Sequence, residues 1–140
     1  MTDYNSFNDT IIKEFRTNDG RVGGRFEGAT LLLLHHTGAR SGAERVSPLA
    51  YLPLGESYAI FASKGGAPEN PAWYHNLIAN PETTIEVGTT MVKVRARVAA
   101  PAERDDIYAR QVQRAPGFGE YEAKTAPYRT IPVVVLDPVK

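Results

Sequence analysis

Residues 31–52 read Leu31-Leu-Leu-Leu-His-His36-Thr37-Gly-Ala-Arg-Ser-Gly42-Ala-Glu-Arg45-Val-Ser-Pro-Leu-Ala-Tyr-Leu52. The apolar run over 30–36 predicts a strand. Residues 37–42 punctuate it with two glycines, and a second strand follows over 45–52. Pro53 is expected to end that strand, Gly55-Glu56 to turn the chain, and residues 58–63 to form a third strand. Three such segments in succession make an antiparallel meander.

The flanks supply helices and more strands. Phe7, Ile11, Ile12 and Phe15 fall near helical spacing, so a helix is expected over about 4–16, ended by Asn18-Asp19-Gly20. A glycine-rich loop over 20–28 follows. Pro71 suits the first turn of a helix reaching Ala79, and Asn80-Pro81 stops it. Residues 83–87 and 91–99 read as a hairpin across Gly88-Thr89. In its second arm Val92, Val94, Ala96 and Val98 alternate with Lys93, Arg95 and Arg97, the pattern of a half-buried strand with a solvated face. A helix over 101–114 is acidic at its start and basic at its end, as the helix dipole favours. A short helix over 119–124 and a buried final strand over 131–136 complete the chain. About six short antiparallel strands with peripheral helices describe one α+β domain, residues 1–140, built on a small barrel.

The totals narrow the chemistry. The chain has 140 residues, enough for one core, and no cysteine, which removes disulfides, thiolate catalysis and iron–sulfur ligation. Sixteen basic side chains balance sixteen acidic ones, and no basic run occurs, so nucleic acid is a poor partner. No leader-like or membrane-spanning stretch is present, which with the missing cysteines leads us to expect a cytoplasmic protein. The first helix lacks a strongly basic polar face, so packing on the barrel is expected rather than association with a membrane surface.

Two loops carry candidate chemistry. Thr37, Gly38, Arg40, Ser41 and Arg45 put hydroxyls, guanidiniums and backbone N–H groups close together, and successive N–H groups can form an anion nest. A plain glycine hairpin with solvated arginines is the equal alternative. Ser63-Lys64-Gly65-Gly66 leaves a strand with a cation and two glycines, suited either to a phosphate or ring rim or to a flexible connection. Trp73 and Leu77 share a helical face, most simply in the core. Asn76 suits either a neighbouring loop or a ligand. His35 and His36 alternate across a strand and cannot easily hold one ion, so no metal site is expected. Phe118, Tyr121 and Tyr128 suit either a pocket wall or satellite packing, and the two tyrosines are candidate proton or hydrogen-bond donors.

Taken in order, residues 32–42, 45–49, 61–67, 70–81 and 128–136 resemble the deazaflavin-dependent nitroreductase family across nearly the whole chain. The resemblance implies a split β-barrel like that of FMN-binding pyridoxamine-phosphate oxidases. It also implies coenzyme F420, an 8-hydroxy-5-deazaflavin with a phosphodiester and oligoglutamate tail. By the same resemblance, Arg40 and Arg45 meet the tail, and Ser47 and Pro48 line the groove by the ring. Ala62, Ser63, Lys64, Gly65 and Gly66 border the deazaflavin, and Trp73 and Asn76 support the pocket. The C-terminal tyrosines resemble the substrate wall, with Tyr128 the better candidate. Two departures bear on tail affinity: Ala39-Arg40 stands where two basic residues are frequent, and Ser47 where asparagine is common.

The expected activity is hydride transfer from reduced F420 to an electron-poor acceptor such as a quinone, nitroaromatic or activated alkene. Tyr128, Tyr121 or Ser63 would supply a hydrogen bond or proton to the acceptor oxygen. The alternatives are an FMN-dependent oxidoreductase on the same barrel, which would use Arg40, Arg45 and Lys64 for its phosphate, and a non-catalytic cofactor-binding protein. The expected partners are the cofactor and a small hydrophobic acceptor, with the chain a monomer or homodimer.

Overall fold

The computed structural model describes residues 2–18, 20 and 31–139, the side chains of 2–8 and of Gly65 excepted. The expected loop over 20–28 lies, apart from Gly20, outside the described residues, as do Thr30 and the side chain of Phe7. Helix α1 spans Thr2–Thr17, followed by β1 Leu31–Thr37, β2 Glu44–Leu54 and β3 Ser57–Phe61. A 3-10 turn at Lys64–Gly66 leads to α2 Ala72–Ala79, β4 Glu82–Val87 and β5 Thr90–Val98. Then come α3 Pro101–Arg114, α4 Gly117–Thr125 and β6 Val133–Pro138. The strands close into an antiparallel barrel in the order β1-β2-β3-β6-β5-β4.

Strand alternation divides the apolar side chains between the barrel's two faces. Leu32, Leu34, Ile60, Ile85, Val94, Val134 and Leu136 form the interior, joined by Trp73 and Leu77 from α2. Leu52, Ala59, Phe61, Val133 and Val135 face outward and are covered by Ile107 and Tyr108 of α3, with Phe118 and Tyr121 of α4 beside them. Leu31 and Leu33 face outward at another place, under Ile11 and Phe15 of α1. The described part of the α1 stripe, Ile11, Ile12 and Phe15, is therefore spent on the barrel, as expected.

The final strand runs over Val133–Pro138 rather than 131–136, and two differences from the sequence reading bear on the site. Pro53 does not end the second strand, which continues to Leu54 with Pro53 opposite Tyr58. Among the described residues the pairing with β1 reaches only Leu31↔Ala50, so no described partner calls for a donor from Pro53 on that side. Ser63 is not in the third strand: that strand stops at Phe61, and Ser63 caps the 3-10 turn. The basic stripe of β5 is also more than a solvated face. Arg95 bonds Glu82 at 2.6 Å, and Arg97 bridges Glu103 at 2.8 Å and Asp137 at 2.9 Å.

Glu86 ties α1 to the barrel. It accepts from Arg16 Nη2 at 2.6 Å and lies 2.7 Å from His35 Nε2. The Arg16 hydrogen bond holds the Glu86 carboxyl below its ordinary pKa. A depressed carboxyl stabilises the fold above its unfolded pKa, and the contribution is lost as pH falls through the folded value. Arg16→Ala should cost about 0.5–1 kcal/mol at neutral pH, because Arg16 is half exposed. Urea unfolding should show the difference from the unsubstituted chain shrinking as Glu86 protonates.

Candidate active site

The barrel is closed at one end and split at the other. The β2–β3 ladder runs only from Leu54↔Ser57 to Tyr51↔Ile60. Beyond it, residues 44–50 pair with β1 alone, while Phe61 turns to Val133 of β6 and Ala62 N–H bonds Pro132 O at 3.0 Å. The start of β2 and the end of β3 thus form two lips of an open slot, whose backbone edge on β2 is unladdered. Pro48 sits on this edge, where a strand tolerates a residue without an N–H.

The register decides which side chains look into the slot. Ser47 is opposite Leu34, and Arg45 opposite His36, so both share the inner face with the core residues of β1. Leu49 and Tyr51 continue that row. Pro48 is opposite Leu33 and faces outward, so it borders the slot with its backbone only. The slot ends where Tyr51 and Tyr58 meet edge to face at 5.6 Å. Inner-face residues of a closed barrel are normally covered, yet Ser47, Leu49 and Tyr51 are only half-buried and Arg45 is exposed.

The turn after β1 differs from the open anion nest that its sequence allowed. Gly38 N–H bonds Ala43 O at 2.8 Å, and Gly42 N–H bonds Gly38 O at 2.9 Å. Ala43 N–H is taken by Ser41 Oγ at 3.2 Å, and Ala39 N–H by Asn76 Oδ1 at 2.9 Å. Most of the backbone donors are thus spent on shaping the turn, and the anion-binding capacity falls to the guanidiniums. Arg40 and Arg45 are both exposed and, among the described residues, have no carboxylate partner. Arg16, Arg95, Arg97, Arg104 and Arg110 are all ion-paired. Thr37, opposite Glu44, starts this turn.

The second lip is held by a residue that sequence reasoning missed. Arg129 donates to Ala62 O at 3.0 Å, Ser63 O at 3.1 Å, Ala67 O at 3.0 Å and Asn70 Oδ1 at 2.7 Å. Burial lowers its pKa from the ordinary guanidinium value. Under this clasp Lys64 adopts φ 47°, a left-handed conformation unusual for a side-chain-bearing residue. Gly66 has φ 88° and lies so close to Lys124 that a Cβ would stand 2.9 Å from its Cδ. Lys64 Nζ rests 3.6 Å from Glu69, an exposed pair that a bound anion can replace.

Behind the slot, α2 places Trp73 in the core and Asn76, nearly buried, against the turn. Asn76 Nδ2 donates to His36 Nδ1 at 3.0 Å, and His36 Nε2 is 2.9 Å from Ser47 Oγ. Burial, then the charges of Arg45 and His35, push the His36 pKa down to about 4. His35 faces the opposite way, toward Glu86, and no group of three or more potential metal ligands occurs among the described residues. Tyr121 packs edge to face on Phe118 at 5.3 Å in the outer cluster. Tyr128 is two-thirds exposed, outside the core, and directly precedes the clasping Arg129.

A split barrel whose open lip begins with two arginines, Arg40 and Arg45, that have no carboxylate partner among the described residues has the features of a binder of an anionic cofactor. Comparison with known proteins makes this specific. A sequence model of the F420H(2)-dependent quinone reductase family matches residues 9–138, and the chain belongs to that family. It is 44% identical over 128 residues to the F420H(2)-dependent quinone reductase Rv1261c of Mycobacterium tuberculosis, covering 87% of this chain and 83% of the relative. The solved F420-H2 dependent reductase FDR-A superposes with a TM-score of 0.70 at 36% identity, covering 77% of this chain and 94% of its own. A structure described as a domain-swapped dimer superposes with a TM-score of 0.71 at 35% identity, covering 97% of this chain and 98% of its own. The protein is thus an oxidoreductase that depends on coenzyme F420. No helix among the described residues is long and apolar enough to cross a membrane.

Proposed function

We propose that the chain reduces quinones, and related electron-poor acceptors such as nitroaromatics or activated alkenes, at the slot between the start of β2 and the end of β3. The observation that carries this reading is the split itself, with Arg45 and Arg40 unpaired at one end and the Ser63–Lys64 lip along the other side. Bound coenzyme would supply a hydride, so the protein need supply neither nucleophile nor metal.

The residues have separable tasks in this reading. Arg40 and Arg45 hold the anionic tail through charge-assisted, paired N–H donors. Ser47 and Leu49 give the ring a polar spot beside an apolar contact, while Ala62, fully buried in the barrel core, supports the second lip from behind. Gly65 and Gly66 let the backbone of the second lip come close to it. Trp73 and Asn76 hold the first turn from behind. Tyr128 presents a phenol O–H to the acceptor oxygen that gains charge, and Ser63 is the nearer alternative donor on the same lip. Tyr121 is bound into the outer cluster, which makes it the weakest of the three candidates. The acceptor is small and largely apolar, reached from the open side. The cysteine-free, charge-balanced chain suits a cytoplasmic enzyme working as a monomer or homodimer.

A fluorescence titration with oxidised F420, with FMN in parallel, followed by oxidation of reduced F420 by a quinone panel, tests the reading. Saturable F420 binding, no FMN binding and steady quinone-dependent turnover are expected. Preference for FMN would move the chain to the flavin-dependent alternative. Tight binding without turnover on any acceptor would leave a cofactor carrier. Tyr128→Phe should lower turnover by about 10-fold with F420 affinity unchanged, since a single transition-state donor is lost.

A further inference from the structure

His36 is a nearly buried imidazole that none of the tasks above uses. Its hydrogen-bond partners fix which ring nitrogen carries the proton. Asn76 Oδ1 accepts from Ala39 N–H at 2.9 Å, a bond that only the amide oxygen can make. The other end of the amide, Nδ2, is therefore the atom 3.0 Å from His36 Nδ1, and it has donors but no acceptor capacity. Nδ1 must accept, so the neutral ring carries its hydrogen on Nε2. That hydrogen points at Ser47 Oγ, 2.9 Å away.

Ser47 then receives a hydrogen bond from His36 and must direct its own hydrogen elsewhere. Among the described residues it meets no acceptor. Its side chain shares the inner face with Leu34 and lies along the stretch of β2 that lacks a β3 partner. We propose that His36 is a positioning residue: through an Ala39–Asn76–His36 chain it fixes the Ser47 hydroxyl as a hydrogen-bond donor into the slot, aimed at a carbonyl or imine acceptor on the edge of the deazaflavin ring. This rests on the slot being the ring site. A histidine with no fixed tautomer would let Ser47 donate back to it and leave the slot without that donor. The low pKa of His36 agrees, since the ring stays neutral and Nδ1 stays free to accept at neutral pH.

Two measurements test the chain of bonds. The first is 15N–1H NMR of histidine-labelled protein without cofactor. It should show His36 with an imine-type Nδ1 and a protonated Nε2. A protonated Nδ1 would overturn the proposal whatever the variants do. The second is a double-mutant cycle on the binding of oxidised F420, read by fluorescence. Ser47→Ala should weaken binding about 10-fold, the value of one hydrogen bond to a polar acceptor, and His36→Phe, which leaves the hydroxyl in place but unoriented, should weaken it by a smaller factor. The double variant should be no weaker than Ser47→Ala alone, because His36 acts only through that hydroxyl. Ser47→Thr, which keeps a hydroxyl, should recover most of the loss. Unchanged affinity in Ser47→Ala, or losses that multiply in the double variant, would overturn the proposal while leaving the F420 site in place. Failure of the unsubstituted chain to bind F420 would overturn the site reading as well. If His36→Phe does not fold, the tautomer and the Ser47 pair of variants still decide the matter.

Discussion

Arg129→Met is expected to destabilise the protein by about 3 kcal/mol and to loosen the second lip of the slot. The guanidinium serves the carbonyls of Ala62, Ser63 and Ala67 and the side chain of Asn70 at once. Methionine keeps the aliphatic volume but leaves those acceptors without a donor, and each orphaned acceptor costs more than the bond itself contributes. Arg129→Lys should regain only part of the loss, because an ammonium cannot span the same carbonyls with a planar fork. Urea unfolding gives the magnitude. Hydrogen exchange gives the location: the Gly66 and Ala67 amides, bonded to Ser63 O and Lys64 O, should exchange faster in both variants. A loss below about 1 kcal/mol in Arg129→Met would mean that water replaces the guanidinium.

Arg129 also marks a limit of sequence reading. Its partners lie 59 to 67 positions away and are mostly backbone carbonyls, which have no residue-type signature. Nothing in Tyr128-Arg129-Thr130 distinguishes a clasp from a solvated cation. The hairpin of β1 and β2 was legible because glycines bracket an abrupt change from apolar to polar. The first three helices were legible from separate signals: apolar spacing in α1, a proline at the start of α2, and acidic-to-basic charge along α3. The split of the barrel was half legible. Pro48 in the middle of a strand signals an edge that no neighbour pairs, but Pro53 carries the same signal and was read as a stop. Whether a proline ends a strand or lies on a free edge depends on where the neighbouring strands stop, which is a tertiary fact.

The first candidate loop shows the converse. Its composition suggested a backbone anion nest, yet the N–H groups of Gly38, Ala39, Gly42 and Ala43 are consumed within the turn or by Asn76. Composition counts donors; folding decides which remain free. The same packing that uses them brings Asn76, read as a contact to a neighbouring loop or a ligand, against both that turn and His36, so that the three form one hydrogen-bonded unit. Acid stability should reflect it. The folded His36 binds its proton only near pH 4, the unfolded one near 6.5. The unfolded state therefore takes up the proton first, and stability should fall as pH drops from about 6.5 to about 4, joined by the loss from Glu86, whose carboxyl is held below its ordinary value of 4.5.

Arg45→Ala should weaken F420 binding by about 30-fold while leaving the unfolding free energy within about 0.5 kcal/mol. The two halves of this expectation have one cause. Arg45 is exposed and, among the described residues, has no carboxylate to abandon, so removing it orphans nothing in the free protein. Its charge is instead available to an anionic ligand, where a charge-assisted pair is worth about 2 kcal/mol. Arg40→Ala should cost less, about 5-fold, since Arg40 stands on the turn rather than on the strand that borders the slot. Raising the salt concentration should weaken binding by the unsubstituted chain, and less so by either variant, because screening acts on the charge that was removed. Arg45→Lys should recover part of the affinity but not the paired donors. The variant has a second signature: the Arg45 charge is the next cause after burial of the low His36 pKa, so Arg45→Ala should raise that pKa, though burial should keep it below the ordinary imidazole value. An NMR titration of His36 would register this even without cofactor. If the pKa rises and F420 affinity stays unchanged, Arg45 is a neighbour of the relay and not a ligand of the tail, which would then rest on Arg40 and Lys64.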